Sequence, residues 1–207
     1  MTSTRTPMTY THQMARAARV VRITYLVLLV IALLAPLLGL YPVFVMKLLC
    51  FAIFASAFNL LLGFTGLLSF GHAAFFGSAA YITGWLIKAH NLTPELGILA
   101  GAAGAGAIGL LIGLVAIRRQ GIYFAMITMA LAQLVYFFCL QAPFTGGEDG
   151  LQGVPRGNLF GLIPLMSDTA MYYLVMAVFV ACFLGISRIV TSPFGQVLKM
   201  IRENEPR

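Results

Sequence analysis

Leu96-Gly-Ile-Leu-Ala-Gly-Ala-Ala-Gly-Ala-Gly-Ala-Ile-Gly-Leu-Leu-Ile-Gly-Leu-Val-Ala-Ile117 runs for 22 residues without a charged or strongly polar side chain, and Arg118-Arg119 closes it. A helix of about 20 such residues crosses a hydrocarbon core of about 30 Å. The apolarity is continuous rather than alternating, which favours a helix over a barrel strand. Within the run Gly97, Gly101, Ala105, Gly109 and Gly113 fall four residues apart. They form one ridge of small side chains, which in a bilayer lets helices approach closely. Close packing is the simpler reading of the ridge, and a direct part in solute passage is the other.

Outward from this run the same pattern repeats. Six apolar segments stand at 23–40, 43–63, 72–89, 96–117, 121–141 and 169–190. The third carries its own small-residue stripe, Ala73, Gly77, Ala80 and Gly84. Over all 207 residues the chain is 60% hydrophobic and 9% charged. Soluble domains carry about 25% charged residues, so a water-soluble enzyme, a secreted disulfide scaffold and a disordered tail are excluded. The expected fold is an all-α integral membrane protein with about six transmembrane helices. It divides into a basic arm (1–22), a helical domain (23–190) with a long external loop (142–168), and a terminal segment (191–207).

The net charge of +7 sits in tails and loops. That is an orientation signal rather than a nucleic-acid surface. With the N-terminus inside, ten cations (Arg5, Arg16, Arg19, Arg22, Arg118, Arg119, Arg188, Lys199, Arg202, Arg207) and two acids (Glu203, Glu205) face the cytoplasm. Outside lie Lys47, Lys88 and Arg156 with Glu95, Glu148, Asp149 and Asp168. Positive charge gathers inside, so both termini are expected in the cytoplasm. The acid-free, Thr- and Arg-rich arm fits an organelle transit peptide or, the preferred reading, a cytoplasmic arm on anionic lipid headgroups.

Chemistry of its own is missing from the sequence. It has no GxxxxGK[ST], HExxH or GxSxG motif, and His12, His72 and His90 are scattered. Neither catalytic nor metal-binding residues are expected, and no cofactor in this chain. Cys50, Cys139 and Cys182 all fall in apolar runs and read as small buried hydrophobes. None of the six spans contains Asp or Glu. Carriers driven by protons or ions usually keep such groups at depth, so uphill transport would draw its energy from a partner.

The polar groups that remain are uncharged. Ser56, Asn59 and Gly63 share a face of the second segment by spacing, and Thr128 and Gln133 lie within the fifth. They read either as interhelical hydrogen bonds or as the lining of a solute path. Gly63, Gly66 and Gly71 interrupt two apolar helices around Ser69, as a tight inside turn or as a broken helix at membrane depth. Broken helices are tolerated in lipid only beside protein or a cavity, and often mark solute paths. His72 opens the next helix, either as a structural histidine or as a solute contact near a positive helix end.

Four stretches together resemble one family. They are Asn59-Leu-Leu-Leu-Gly-Phe-Thr-Gly-Leu-Leu-Ser-Phe-Gly-His-Ala-Ala-Phe-Phe-Gly-Ser-Ala-Ala-Tyr81, Gly121-Ile-Tyr-Phe-Ala-Met-Ile-Thr-Met-Ala-Leu-Ala-Gln133, Thr145-Gly-Gly-Glu-Asp-Gly-Leu-Gln-Gly-Val-Pro155, and Ser192-Pro-Phe-Gly through Ile201-Arg-Glu-Asn-Glu-Pro206. In this order they resemble the bacterial branched-chain amino-acid ABC transporter permeases, over about 59–207. The resemblance implies an inner-membrane subunit that imports leucine, isoleucine, valine or related solutes by alternating access. Urea and short-amide permeases are close relatives. It implies a second homologous permease, two ABC ATPases that bind ATP and Mg, and a periplasmic substrate-binding protein. It places ATPase coupling on Gly195, Arg202, Glu203, Asn204 and Glu205, and binding-protein docking on a loop with Gly146, Gly147, Glu148 and Asp149. Family members continue past this coupling loop with further spans, so the sequence reads as a fragment or a truncated gene product. The alternatives are a stand-alone carrier, a channel with Thr145–Gly150 as a filter, and a non-transporting fragment.

Overall fold

The computed structural model describes residues 20, 23–25, 27–36, 38–119, 121–161 and 163–203. The basic arm, apart from its edge, lies outside them, as do Asn204 and Glu205. The described chain is mainly helical, with one short antiparallel ladder, Asn158–Leu159 against Ile163–Pro164, in its long loop. In order come α1 (Ile23–Leu34), α2 (Pro42–Leu60), a π-helical turn (Leu61–Thr65), α3 (His72–His90), α4 (Pro94–Ala116), α5 (Ile122–Gln141), α6 (Asp168–Thr191) and α7 (Pro193–Glu203). Pro42, Pro94 and Pro193 each stand in a first turn, where the missing N–H costs nothing. Ser167 starts α6 by accepting the Ala170 N–H at 3.2 Å.

Among the described residues four helices are long and apolar enough to cross a membrane: Pro42–Thr65, Pro94–Ala116, Ile122–Gln141 and Asp168–Thr191. The sequence reading expects six. Of the other two, α1 at Ile23–Leu34 is shorter than a span. The third segment forms α3, 19 residues long, whose His72, Ser78, Thr83, Lys88 and His90 lower its hydropathy.

Two helix pairs dominate the packing, α3 with α4 and α2 with α6. The glycine ridge explains the first. A Cβ on Gly97 would lie 2.7 Å from Ile87 Cγ1, and one on Gly101 would lie 2.7 Å from the Ala79 carbonyl. Gly104, off the ridge, meets Ile82 in the same way. Gly109 faces Phe75 at 3.8 Å, and Gly113 has open space beside it. The ridge is therefore a packing surface over its first half, where backbones close to van der Waals contact replace the absent side chains. The second pair closes over Ala35, Val45, Met46, Leu49, Tyr172 and Met176. Tyr172 donates its hydroxyl proton to the Ala32 carbonyl, tying α6 to α1. Leu99, Leu110, Leu114, Leu134 and Phe137 point outward and are exposed. Water would not tolerate such a surface; a lipid would.

Two further contacts define the ends of the bundle. At one end α7 folds back against the π turn. At the other, residues 142–168 lie over the α3–α4 connection, joined by Lys88, Glu95 and Gly84.

Candidate functional site: the broken-helix junction and its two flanks

The junction begins where α2 changes pitch. Residues Leu61–Thr65 wind as a π helix, and Gly66 follows with φ +75°. Only glycine adopts that backbone without strain. Thr65 donates its hydroxyl proton to the Leu61 carbonyl. Single π turns inside α helices recur at functional sites. The sequence reading left open a tight inside turn or a broken helix at membrane depth; the structure shows α2 ending in a π turn, followed by a short non-helical connection, 66–71, into α3.

The segment then crosses to α5. The Phe70 N–H donates to Thr128 Oγ1 at 3.2 Å, while Thr128 donates to the Ala125 carbonyl at 2.9 Å. The Gly71 N–H reaches Ser69 Oγ at 3.3 Å. Ser69, Gly71 and Thr128 are all buried. A Cβ on Gly71 would come within 3.3 Å of the Thr128 carbonyl. Ser69, Gly71 and Thr128 thus form one unit, although Thr128 is 58 residues from Phe70 in the chain.

His72 sits between rings. Phe58, Phe75 and Phe54 surround it at 5.4, 5.7 and 6.3 Å between centroids, all edge-on. Its Nδ1 is buried and makes no hydrogen bond. An imidazole in such a collar joins α2 to α3 through aromatic edges rather than polar partners.

The remaining candidates separate. Ser56 donates to the Ala52 carbonyl of its own helix at 2.7 Å, so its hydroxyl is turned inward. Asn59 and Gly63 share a face as the spacing predicts; a Cβ on Gly63 would stand 3.0 Å from Asn59 Oδ1. Gln133 is exposed and lines a groove of about 510 Å³ between α3 and α5, with Gly77, Ser78, Tyr81, Met129 and Tyr136. A second hollow of about 470 Å³ lies against Gly66, Phe70, Gly121, Ala125 and Met129. The two hollows share Phe70 and Met129, so the junction forms part of the wall of both.

On one flank stands α7. Gly195 is buried, and a Cβ there would lie 2.5 Å from the Val190 carbonyl and 2.7 Å from that of Ile189. The turn from α6 into α7 is too tight for any side chain. Ser192 donates to the Ile189 carbonyl at 2.6 Å, helping to close it. Arg202 Nη1 donates to the Gly63 carbonyl at 2.6 Å. Lys199 Nζ stands 5.1 Å from the Phe64 ring centroid, a cation–π distance. Phe194, Val197 and Ile201 face away and are exposed. Glu203 ends the helix. Of the two cations, the family resemblance singled out Arg202 but not Lys199, and the aromatic Phe64 in the π turn was the available signal.

At the opposite end of the bundle lies the loop. Gly146 has φ +84°, and a Cβ on it would lie 2.3 Å from the Gly150 carbonyl. Gly147 has φ +62° and leads a single 3₁₀ turn, Gly147–Asp149, on which Glu148 and Asp149 are exposed. The buried Thr145 hydroxyl donates to the Ala142 carbonyl at 2.6 Å and lies as close to that of Cys139. The glycines therefore serve a tight turn, with the acids at its tip. Lys88 Nζ donates to the Gln152 carbonyl at 2.8 Å, and the Phe160 N–H donates to Glu95 Oε1 at 3.0 Å. Arg156 pairs with Asp168 at 2.5 Å.

Comparison with known proteins matches this framework. The family described as "Branched-chain amino acid transport system / permease component" matches residues 40–207. The high-affinity branched-chain amino acid transport system permease protein LivM of Escherichia coli (strain K12) is 26% identical over 183 residues, covering 75% of this chain and 42% of the relative. LivM of Salmonella typhimurium (strain LT2) matches at 26% identity with the same coverage. The chain thus spans about two fifths (42%) of the length of the curated relatives it matches. No solved structure matches it significantly.

Proposed function

Since the chain belongs to the permease components of branched-chain amino acid transport systems, we propose that it supplies the membrane path of an ATP-driven importer for leucine, isoleucine, valine or a related small solute. In this reading it lies in a bacterial inner membrane with both termini in the cytoplasm, as the loop charges favour. A second homologous permease completes the bundle. Two ABC ATPases, which bind ATP and Mg, dock beneath α7, and a periplasmic binding protein docks above the loop carrying Gly146, Gly147, Glu148 and Asp149. Alternating access moves the helices around the junction of Gly63, Gly66, Ser69, Gly71, His72 and Thr128. Ser56, Asn59 and Gln133 stand beside it as candidate solute contacts.

The observation that carries this reading is the return of α7 onto the broken end of α2, through Arg202 and Gly63. It joins an exposed amphipathic helix, suited to a soluble partner, to an irregular segment at the wall of the hollows. Glu95 and Asp168 stand only in the first turns of α4 and α6, and the apolar segments read from the sequence hold no acid, which supports a chain powered by partners.

The test is purification from native membranes through an N-terminal tag, with mass spectrometry of attached chains, followed by uptake in proteoliposomes. The expected result is an attached P-loop ATPase and ATP-dependent uptake of labelled leucine. Uptake of urea or a short amide in its place would move the substrate within the same class. Uptake without ATP or an ATPase would overturn the reading in favour of a stand-alone carrier.

A further inference from the structure

The end of α2 has no cation of its own. Neither its last turn nor the π turn that follows carries Lys or Arg. A helix C-terminus leaves carbonyls without intrahelical partners and carries partial negative charge. Here the compensation comes from α7, 139 residues further along the chain. Arg202 donates to the Gly63 carbonyl, Lys199 covers Phe64, and the Arg202 stem lies across Gly66, where a Cβ would meet its Cγ at 3.1 Å. Three side-chain or backbone features of the junction are thus shaped around two cations of one helix.

We infer that Arg202 is a positioning residue that latches α2 in its π-wound form, so that displacement of α7 is delivered to the Leu61–Gly71 segment. This deepens the importer reading and rests on it. A π turn closes i→i+5 bonds where an α turn closes i→i+4, so it holds one extra residue. When Arg202 leaves Gly63, the turn can rewind and pass that residue to the segment 66–71. The segment is fixed at its far end by the Phe70–Thr128 bond, so the change is taken up within residues 66–69, of which Gly66, Leu67 and Leu68 line the hollow of about 470 Å³. Arg202 thereby faces inward, while Phe194, Val197 and Ile201 remain outward for the partner.

The assay uses the full chain with Cys50, Cys139 and Cys182 replaced by Ala, nitroxide labels at positions 62 and 197, and a nanodisc. The wild type is expected to show one narrow distance population. Arg202→Ala broadens it, and Arg202→Lys, which keeps a cationic donor, restores much of it. In the assembled transporter Arg202→Ala keeps its ATPase attached while uptake per ATP hydrolysed falls about tenfold, the worth of one charge-assisted hydrogen bond. Gly66→Ala, pressing on Arg202 from the other side, lowers coupling in the same direction. An unchanged label distance in Arg202→Ala overturns the latch. Loss of ATPase attachment in that variant makes Arg202 a docking contact and overturns it too. A wild-type chain that binds no ATPase overturns the importer reading itself, whatever the labels report.

Discussion

Thr128 on α5 accepts the Phe70 N–H at 3.2 Å and passes its own proton to Ala125, one turn back on its helix. The hydroxyl has both its donor and its acceptor in use, in a buried position. Thr128→Val preserves the shape and removes the acceptor. It leaves a backbone N–H without a partner, at a cost of about 1–3 kcal/mol. Reversible unfolding in detergent is expected to show that loss, and Thr128→Ser to recover most of it. A Val variant as stable as wild type would mean that water satisfies Phe70.

The glycine ridge makes a prediction by contrast. Gly101→Ala places a Cβ 2.7 Å from the Ala79 carbonyl, a backbone atom with little room to move. It is expected to force α3 from α4 and to cost about 1–3 kcal/mol. Gly113→Ala meets open space. It is expected to be neutral or to stabilise the helix by up to about 1 kcal/mol. Measuring the two side by side separates packing from a general intolerance of substitution in α4.

Gly195→Ala would place a methyl against two carbonyls of α6, at 2.5 and 2.7 Å. The turn must open, tilting α7 away from the π turn. Limited proteolysis of the terminal segment is expected to accelerate several-fold over wild type while the helical bundle stays intact. Equal digestion rates would show that the turn absorbs the methyl without moving α7.

Arg156 and Asp168 pair at 2.5 Å but remain 38% and 46% exposed. Exposed ion pairs are worth about 0–1 kcal/mol and are screened by salt. Asp168→Asn is therefore expected to change stability by less than about 1 kcal/mol, with the difference vanishing in high salt. A larger effect would point to the loop being shielded from water by a partner.

Spacing carried the reading far along single helices and stopped where contacts became non-local. The four-residue repeat of Gly97, Gly101 and Gly109 announced a packing face, and α3 packs there. The glycines at 63, 66 and 71 announced an interruption, and α2 ends in one. Spacing also put Ser56 and Asn59 on one face, but it could not show Ser56 bonding back to Ala52, because that choice is made by a side-chain rotamer. The Thr128–Phe70 and Arg202–Gly63 contacts join residues 58 and 139 apart, and no periodicity within a helix encodes them. The pitch change to a π turn was equally silent, since Leu61-Leu-Gly-Phe-Thr65 has no residue that demands it.

Two anchors of the long loop are made through its backbone rather than its side chains. Lys88 holds the carbonyl of residue 152, and Glu95 holds the N–H of residue 160. Leu151 and Val154 also rest their side chains on Gly84 of α3, so the side chains outside these contacts are the ones that can be rewritten while the loop keeps its path over α3 and α4. The exposed tip with Glu148 and Asp149 is thereby free to vary without refolding the helices beneath.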